Sequence, residues 1–455
     1  MRRGGVRRVA DSDAALRDLR SRLEPWPDGG HLVGGAVRDA LLGLPSSDYD
    51  WVGSDPRQAA LSLGDALGGS AFEMDAARHH WRVALPDGVL HDFAPVREGA
   101  ADIVGDLALR DLPIIALALP GSGELLDPLG GRADLAAGLV RMTSRAALEA
   151  DPVRPLRVVR FAATLGFRVE DGTLAAVTEL SRAQAEGRSA LPAFERVGAE
   201  LSAVIAAPRA AQAVKLLGDV GMLRSYLPEL EAARGVGQGR GFHHLDVLDH
   251  SLEALNQLLH GFPEADAALR WATLLHDVGK PATVGRGALG RVTFYGHDKV
   301  GADLASTLLR RLRMESALVA RVASLVRYHM LPLPRGERAA RRFVHRRREL
   351  LPDLLKLMIA DREAARGPLS SAAGRNAYRV ALGQVIGLLS EEAPPRPLLS
   401  GNEVMALLSI APGPRVGEVL ALIAEARALG DVHDADEARA LAERYAKAQS
   451  WIKEG

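Results

Sequence analysis

The first chemical signal lies in one short stretch: Gly34, Gly35 and Arg38 in HLVGGAVRDALLG, then Asp48 and Asp50 in DYDWV. If DYDWV is a strand, its period of two puts Asp48 and Asp50 on one face and Tyr49 and Trp51 on the other, toward a core. Side-by-side carboxylates repel unless a cation separates them, and such ligands suit Mg²⁺, which takes one or two carboxylates plus substrate phosphates. Asp92, in WRVALPDGVLHDFAPV, supplies a third acid: the segment reads as a hairpin turning at Pro86-Asp87-Gly88, with Val89, His91 and Phe93 on one face and Asp92 on the other. The glycines would let the backbone approach an anion where a helix starts, with Arg38 in its first turn. Taken alone, Gly34-Gly35 reads better as a tight turn. With the acids beside it, the set describes a two-metal nucleotidyl-transfer site, in which one metal activates a hydroxyl and the other holds a triphosphate.

A second signal is His276-Asp277 in LRWATLLHDVGK. Burying this pair on an apolar helix is costly unless a metal or a partner compensates. The chain has no cysteine, so any metal must be held by imidazole and carboxylate.

Something must position these groups. Up to about residue 140, short β-like runs (HLVGG, DYDWVG, WRVALPDGVLHDFAPV) mix with helical ones (ALRDLRSRL, AVRDALLGL), which predicts an α+β head with a small mixed sheet. From about 145 onward apolar residues recur at spacings of three and four, as in LEALNQLLHGF and EVLALIAEARALG, so the rest should be helical. Gly and Pro cluster at 235–244, 391–401 and 411–417, the candidate breaks. Asp151-Pro152 reads as a helix start, and Arg154, Arg157 and Arg160 follow at spacing three along one face. That pattern also fits a solvated basic face over an apolar stripe.

At 455 residues the chain should hold two to four domains. Its formal net charge is zero, so any nucleic-acid surface must be local. No run approaches the ~20 apolar residues of a membrane span, and the basic start lacks an apolar segment after it, which makes the cytoplasm the expected location.

The segment GGAVRDALLGLPSSDYDWV resembles, nearly position for position, the first motif of the class II tRNA nucleotidyltransferase and bacterial poly(A) polymerase family. Later blocks are similar and in order: DLALRD (106–111), LLDPLGGRADLAAGLVR (125–141), DPVRPLRVVRFAATLGF (151–167) and ERVGAEL (195–201). The resemblance implies that Asp48 and Asp50 bind Mg²⁺ and that Asp92 helps activate a tRNA 3′ hydroxyl. It also implies that Gly34, Gly35, Arg38, Arg110, Asp111, Asp151, Arg154, Arg157 and Arg160 handle CTP and ATP. Asp151 and Arg154 would read the base edge, an acceptor paired with a planar donor fork. The chain departs from the family at 109–116, where Leu109-Arg110-Asp111-Leu112-Pro113-Ile114-Ile115-Ala116 replaces a pattern close to Arg-Arg-Asp-Phe-Thr-x-Asn-Ala. Ala150 stands where Glu is frequent, and Pro155 removes an N–H just inside the expected helix. The segment between Asp92 and this block is short, which by the resemblance leaves CC-only or A-only addition open, so the product is CCA, CC, A or poly(A).

The second cluster resembles the HD phosphohydrolases, with His250, His276, Asp277 and Asp361 as the implied ligands and His297 and His329 as additions found in two-metal members. The metal would be Ni²⁺, Mn²⁺, Co²⁺ or Zn²⁺, acting on 2′,3′-cyclic or terminal phosphates. The implied order is a catalytic head (1–143), a helical neck (144–235), an HD domain (236–370) and a helical tRNA-binding tail (371–455). The basic run RAARRFVHRRREL (338–350) is a candidate phosphate contact. The alternative function is a phosphohydrolase carrying a weakened or inactive head.

Overall fold

Alternation along Asp48–Val52 does what period two requires: Asp48 and Asp50 face outward, while Tyr49 and Trp51 are buried. In the computed structural model this segment is strand β2 of a six-stranded sheet; the structure describes residues 12–239, 245–287, 291–365, 372–390 and 397–451. The other strands are β1 (His31–Val33), β3 (Ser70–Asp75), β4 (His80–Ala84), β5 (Leu90–Ala94) and β6 (Ala118–Pro120), in the order β3-β4-β5-β2-β1-β6. Only β2 and β5 pair in parallel; the remaining ladders are antiparallel, so the sheet is mixed. The hairpin between β4 and β5 closes with Leu85 N–H donating to Val89 O and Gly88 N–H to Leu85 O. His91 and Phe93 are buried beneath it, stacked near Trp51.

The chain divides into two compact units, Met1–Ala232 with Thr307–Ser316, and Ala233–Ser306 with Ala317–Gly455. In the first, the sheet is followed by the helices Arg154–Leu165, Asp171–Ala185, Phe194–Ala206 and Ala210–Asp219. The Arg154–Leu165 helix buries Leu156, Val158, Val159 and Phe161 and ends at Gly166, whose φ of 71° is the left-handed C-terminal stop glycine accepts without strain. This helix begins at Arg154 rather than at Asp151. Asp151 instead closes a turn, its carboxylate accepting from Val153 N–H. Pro155 therefore occupies the second helical position, where the missing N–H has no intrahelical partner to lose. The helical body is interrupted by a short parallel pair, Leu139–Val140 with Arg168–Val169.

The altered block at 109–116 is a structural element: Leu112 and Ile114 are fully buried in a 3-10 turn over Pro113–Ile115. A Cβ on Gly131 would meet Pro113 O at 2.2 Å, so glycine is required there for close backbone approach.

Among its described residues the second unit is helical, apart from a short antiparallel pair, Gly285–Arg286 with Val292–Thr293. Its last helices, Gly401–Leu408, Pro414–Ala428 and Ala435–Ala448, enclose a core of their own built on Val404, Leu408, Val419, Ile423 and Ala442. The expected break at 411–417 is the bend before Pro414; those at 235–244 and 391–401 lie partly outside the described residues, at 240–244 and 391–396. The basic run is not a free phosphate surface. Arg342 and Arg346 both pair with Glu425, and Arg338 pairs with Asp431, tying the Glu337–Arg347 helix to Pro414–Ala428 and the turn after it. Among the described residues no helix is long and apolar enough to cross a membrane.

Candidate active sites

In the first unit the acids converge through sheet register. Asp50 on β2 is the partner of Asp92 on parallel β5, and Asp48 lies two residues away on the same face. On the other side of β2, Val33 pairs with Asp50, and β1 runs directly into Gly34 and the Gly35–Leu41 helix. Gly34 has φ 74°, and a Cβ there would sit 3.4 Å from both Asp50 Oδ2 and Arg110 Nη1. Glycine is needed there for the backbone angle, while a Cβ would make only ordinary contact with these groups. Burial, followed by the charges of Asp92 and Asp48, raises the Asp50 carboxyl above its usual range, with Arg110 opposing. Asp48, Asp50 and Asp92 offer carboxylate oxygens, the donor type a hard divalent cation takes.

Together with Gly34, Gly35 and Arg38, the acids line an open cleft of about 1170 Å³. Asp151, Arg154, Arg157 and Arg160 line it as well. Arg38 pairs with its neighbour Asp39 (Nη2–Oδ1 2.7 Å) and lies over the Phe161 ring, as do Arg157 and Arg160. Arg154 donates to Leu109 O and Ala147 O, Arg157 to Asp111 (2.6 Å), and Arg160 to Glu200. Arg110 and Asp111 are buried, and Arg110 is held by Asp106.

Several residues to which the sequence reading gave no role hold the acids in place, and of these Arg97, Asp106 and Arg196 also line the cleft. Arg82 on β4 grips Asp92 in a fork, Nε donating to Oδ1 (2.6 Å) and Nη2 to Oδ2 (2.7 Å). Arg196 grips Asp151 in the same way (3.1 and 2.6 Å), and against the cost of burial this pairing holds the Asp151 carboxyl below its usual range. Asp106, wholly buried, accepts from both Arg97 and Arg110. Cross-strand register exposes Arg82 as the partner of Asp92; Arg196 carries no local signal.

In the second unit six residues from five segments meet. His250 comes from the Val247–Gly261 helix, and His276-Asp277 ends the Ala267–Leu275 helix. His297 begins His297–Arg311, His329 follows Ser316–Tyr328, and Asp361 lies on Leu351–Ala364. His250, His276 and Asp361 form one potential metal triad; Asp277, His297 and His329 form another. Asp277 links them: Oδ2 lies 3.2 Å from His276 Nε2 and 3.6 Å from His250 Nε2, and Oδ1 lies 3.4 Å from His297 Nε2 and 3.8 Å from His329 Nε2. His276, His297 and His329 each direct Nδ1 at the backbone carbonyl three residues earlier, Thr273, Phe294 and Val326, at 2.8, 2.7 and 2.6 Å. A carbonyl only accepts, so Nδ1 bears the proton and the Nε2 lone pair points into the cluster, which is the arrangement a metal ligand needs. His276 Nε2 is buried without a hydrogen bond. Burial opposes a charge on His276, yet Asp277 and Asp361 outweigh it and lift the imidazole to about 10. Against the same burial cost, His276 and Lys280 hold the Asp277 carboxyl well below its usual range. The cluster thus demands positive charge, and its donors fit divalent metal ions.

Two family models match: the poly A polymerase head domain over residues 30–141 and the HD domain over 241–366. The chain is 52% identical over 94% of its length to a Deinococcus radiodurans protein named A-adding tRNA nucleotidyltransferase, covering 98% of it. It is 44% identical over 90% of its length to the CC-adding tRNA nucleotidyltransferase of Thermus thermophilus, covering 92% of that protein. A solved structure of the Bacillus stearothermophilus CCA-adding enzyme with CTP shares the fold, at TM-score 0.59 and 20% identity over 96% of this chain and 98% of that one. The class is therefore that of template-independent nucleotidyltransferases with an HD domain. Within it, the chain belongs to the tRNA nucleotidyltransferase family. Matches running through the head count against a phosphohydrolase with a vestigial head.

Proposed function

We propose that this chain adds part of the 3′-terminal CCA of tRNA, with the terminal AMP as its product. The observation that carries the reading is the pairing of Asp50 with Asp92 beside the Gly34 turn. The choice of AMP rests on the greater identity and coverage shared with the A-adding relative.

In this reading Asp48 and Asp50 would hold Mg²⁺, which when bound neutralises charge on the triphosphate and on the attacking oxygen. Gly34, Gly35 and Arg38 grip the triphosphate, with Arg110 behind them. Asp92 takes the proton of the tRNA 3′ hydroxyl as its oxygen attacks the α-phosphorus and pyrophosphate departs. Both Asp92 oxygens accept from Arg82, but each keeps a second lone pair for that proton. Asp151 and Arg154 read the base edge, with Asp111, Arg157 and Arg160 framing the nucleotide. In the HD domain, His250, His276, Asp277, His297, His329 and Asp361 would hold one or two of Ni²⁺, Mn²⁺, Co²⁺ or Zn²⁺, which when bound supply an activated water for 2′,3′-cyclic or terminal phosphates. The parts are a head at 1–143, a neck at 144–235, an HD domain at 236–370 and a tRNA-binding tail at 371–455, acting in the cytoplasm.

The test is to size products on tRNA ending before C74, after CC, and at full length, with ATP and CTP offered singly and together. Addition of a single AMP to the CC-ending tRNA is expected. CMP added to the shorter tRNA would overturn the choice of AMP, and an inert protein would overturn the whole reading.

A further inference from the structure

The partner residues of the sheet form one row across five strands: Val33 on β1, Asp50 on β2, Asp92 on β5, Arg82 on β4 and Phe72 on β3. Directly paired residues share a face, so the acids, the arginine and the phenylalanine stand side by side. The Gly34 turn lies at the β1 end of this row. In-line displacement places the attacking and leaving oxygens on opposite sides of phosphorus. A triphosphate held at the β1 end therefore requires the attacking hydroxyl to arrive from the β4 end.

That end is built unlike an ordinary sheet edge. β3 is the edge strand, yet it exposes Phe72 (43%) and Met74 (51%), apolar side chains that an open edge normally avoids. Met74, at the register shift between Glu73 and Asp75, lines the same cleft as the acids, and Phe72 flanks that cleft through its pairing with Arg82. Arg82 uses Nε and Nη2 on Asp92, which turns Nη1 away from the carboxylate. A cation beside an apolar ledge, at the entry side of a hydroxyl-activating acid, matches a single-stranded RNA end: phosphate on the cation, base against the ledge.

We propose that the β3–β4 hairpin is the subsite for the RNA 3′ terminus, with Arg82 on the last phosphodiester and Met74 and Phe72 against the last base. This rests on the nucleotidyl-transfer reading of the head. Arg82 then has two duties, orienting Asp92 and drawing the terminal phosphate toward it.

The experiment is single-turnover extension of a CC-ending acceptor-stem RNA by the full chain, titrating RNA and ATP separately. A second RNA carries a neutral methylphosphonate at its last linkage. In the wild type the neutral linkage should raise the half-saturating RNA concentration about tenfold, the scale of one charge-assisted hydrogen bond. Arg82→Ala and Arg82→Gln should raise it about as much on the natural RNA and show no further loss on the neutral one. Arg82→Lys should keep part of the sensitivity. Met74→Ser with Phe72→Ser should weaken a normal RNA end but not one whose last nucleotide is abasic. Half-saturation by ATP should hold in every variant, which also reports an intact head. If Arg82→Ala remains as sensitive to the neutral linkage as the wild type, or if ATP saturation shifts while RNA saturation does not, the subsite is wrong. A wild type that extends no tRNA removes the nucleotidyl-transfer reading itself, and this inference with it.

Discussion

Asp50 and Asp92 lie directly opposite one another on the only parallel pair of strands in the sheet, so two carboxylates from distant parts of the chain are fixed side by side by backbone hydrogen bonding alone. Asp92 is matched by the Arg82 fork, but the Asp50 pKa is raised by desolvation and by Asp92 and Asp48 against the opposing charge of Arg110, and that displacement expresses the cost of the pair.

The first prediction follows from that cost. Asp50→Asn should abolish nucleotide incorporation, by a factor of at least about 10³ if both metals are needed. Without Mg²⁺ the same variant should melt at a higher temperature than the wild type, since a charge repelled by Asp92 and Asp48 is gone. The wild type should gain thermal stability when Mg²⁺ is added, and Asp50→Asn should gain little. Differential scanning fluorimetry with and without Mg²⁺ checks both signs, and a destabilised Asp50→Asn would show that the acid serves the fold instead.

The second prediction concerns the grip on Asp151. Arg196 fixes both oxygens of Asp151 at 3.1 and 2.6 Å. An acid held this way presents its remaining lone pairs in one orientation. Arg196→Ala should therefore relax the choice between ATP and CTP by roughly ten- to a hundredfold, the loss of one or two charge-assisted hydrogen bonds. Incorporation with each nucleotide alone gives the ratio; equal losses for both would make Arg196 merely structural.

These two sites also show what the sequence made legible. Asp48 and Asp50 were readable because strand alternation is local, and Asp92 because Pro86-Asp87-Gly88 marks a hairpin. The HD cluster was legible from adjacent His276-Asp277 in an apolar run and from the family spacing of the other ligands. The arginines gripping these acids were not. Arg196 is 45 residues from Asp151, and no periodicity links them. Likewise, the basic run at 338–350 looks like a phosphate surface until Glu425, 79 residues beyond Arg346, is found between its arginines. Ion-pair partners are chosen by tertiary packing, which a local pattern does not encode. The helix start at Arg154 rather than Asp151 was missed for a related reason: a capping residue and a turn residue carry the same side chain.

The third prediction addresses the HD cluster. His276, His297 and His329 have their Nδ1 atoms committed to backbone carbonyls, so their Nε2 atoms are preset for metal. Chelation should lower the melting temperature, and restoring a divalent ion at a hundred times its Kd should return about 2.7 kcal/mol. Asp277→Asn, which weakens the link between the two triads, should lose most of this response along with hydrolysis of 2′,3′-cyclic phosphate. AMP incorporation by the head should remain. Metal analysis of the purified protein, read beside calorimetry, decides the matter; a melting temperature indifferent to chelator would rule out a structural contribution by metal.

The fourth prediction is a pH dependence set beneath the sheet. His91, almost fully buried, accepts the Trp51 indole N–H at Nδ1 (3.1 Å), and burial pushes its imidazole down from 6.5 to about 4. The folded state therefore keeps His91 neutral, while the unfolded chain takes up a proton below about 6.5. The stability this residue contributes is complete above that pH and is lost as pH falls toward 4. The gap between 6.5 and about 4 corresponds to about 3 kcal/mol at the acid limit. Urea unfolding followed by tryptophan fluorescence between pH 7 and pH 4 should show the midpoint falling across this window. His91→Gln keeps an acceptor for Trp51 but cannot titrate, so it should flatten that segment of the curve. A variant curve parallel to the wild type would assign the acid sensitivity to the carboxylates instead. Because Trp51 and His91 lie on β2 and β5, beneath Asp50 and Asp92, the loss should appear in Mg²⁺-dependent incorporation before the helical unit begins to unfold.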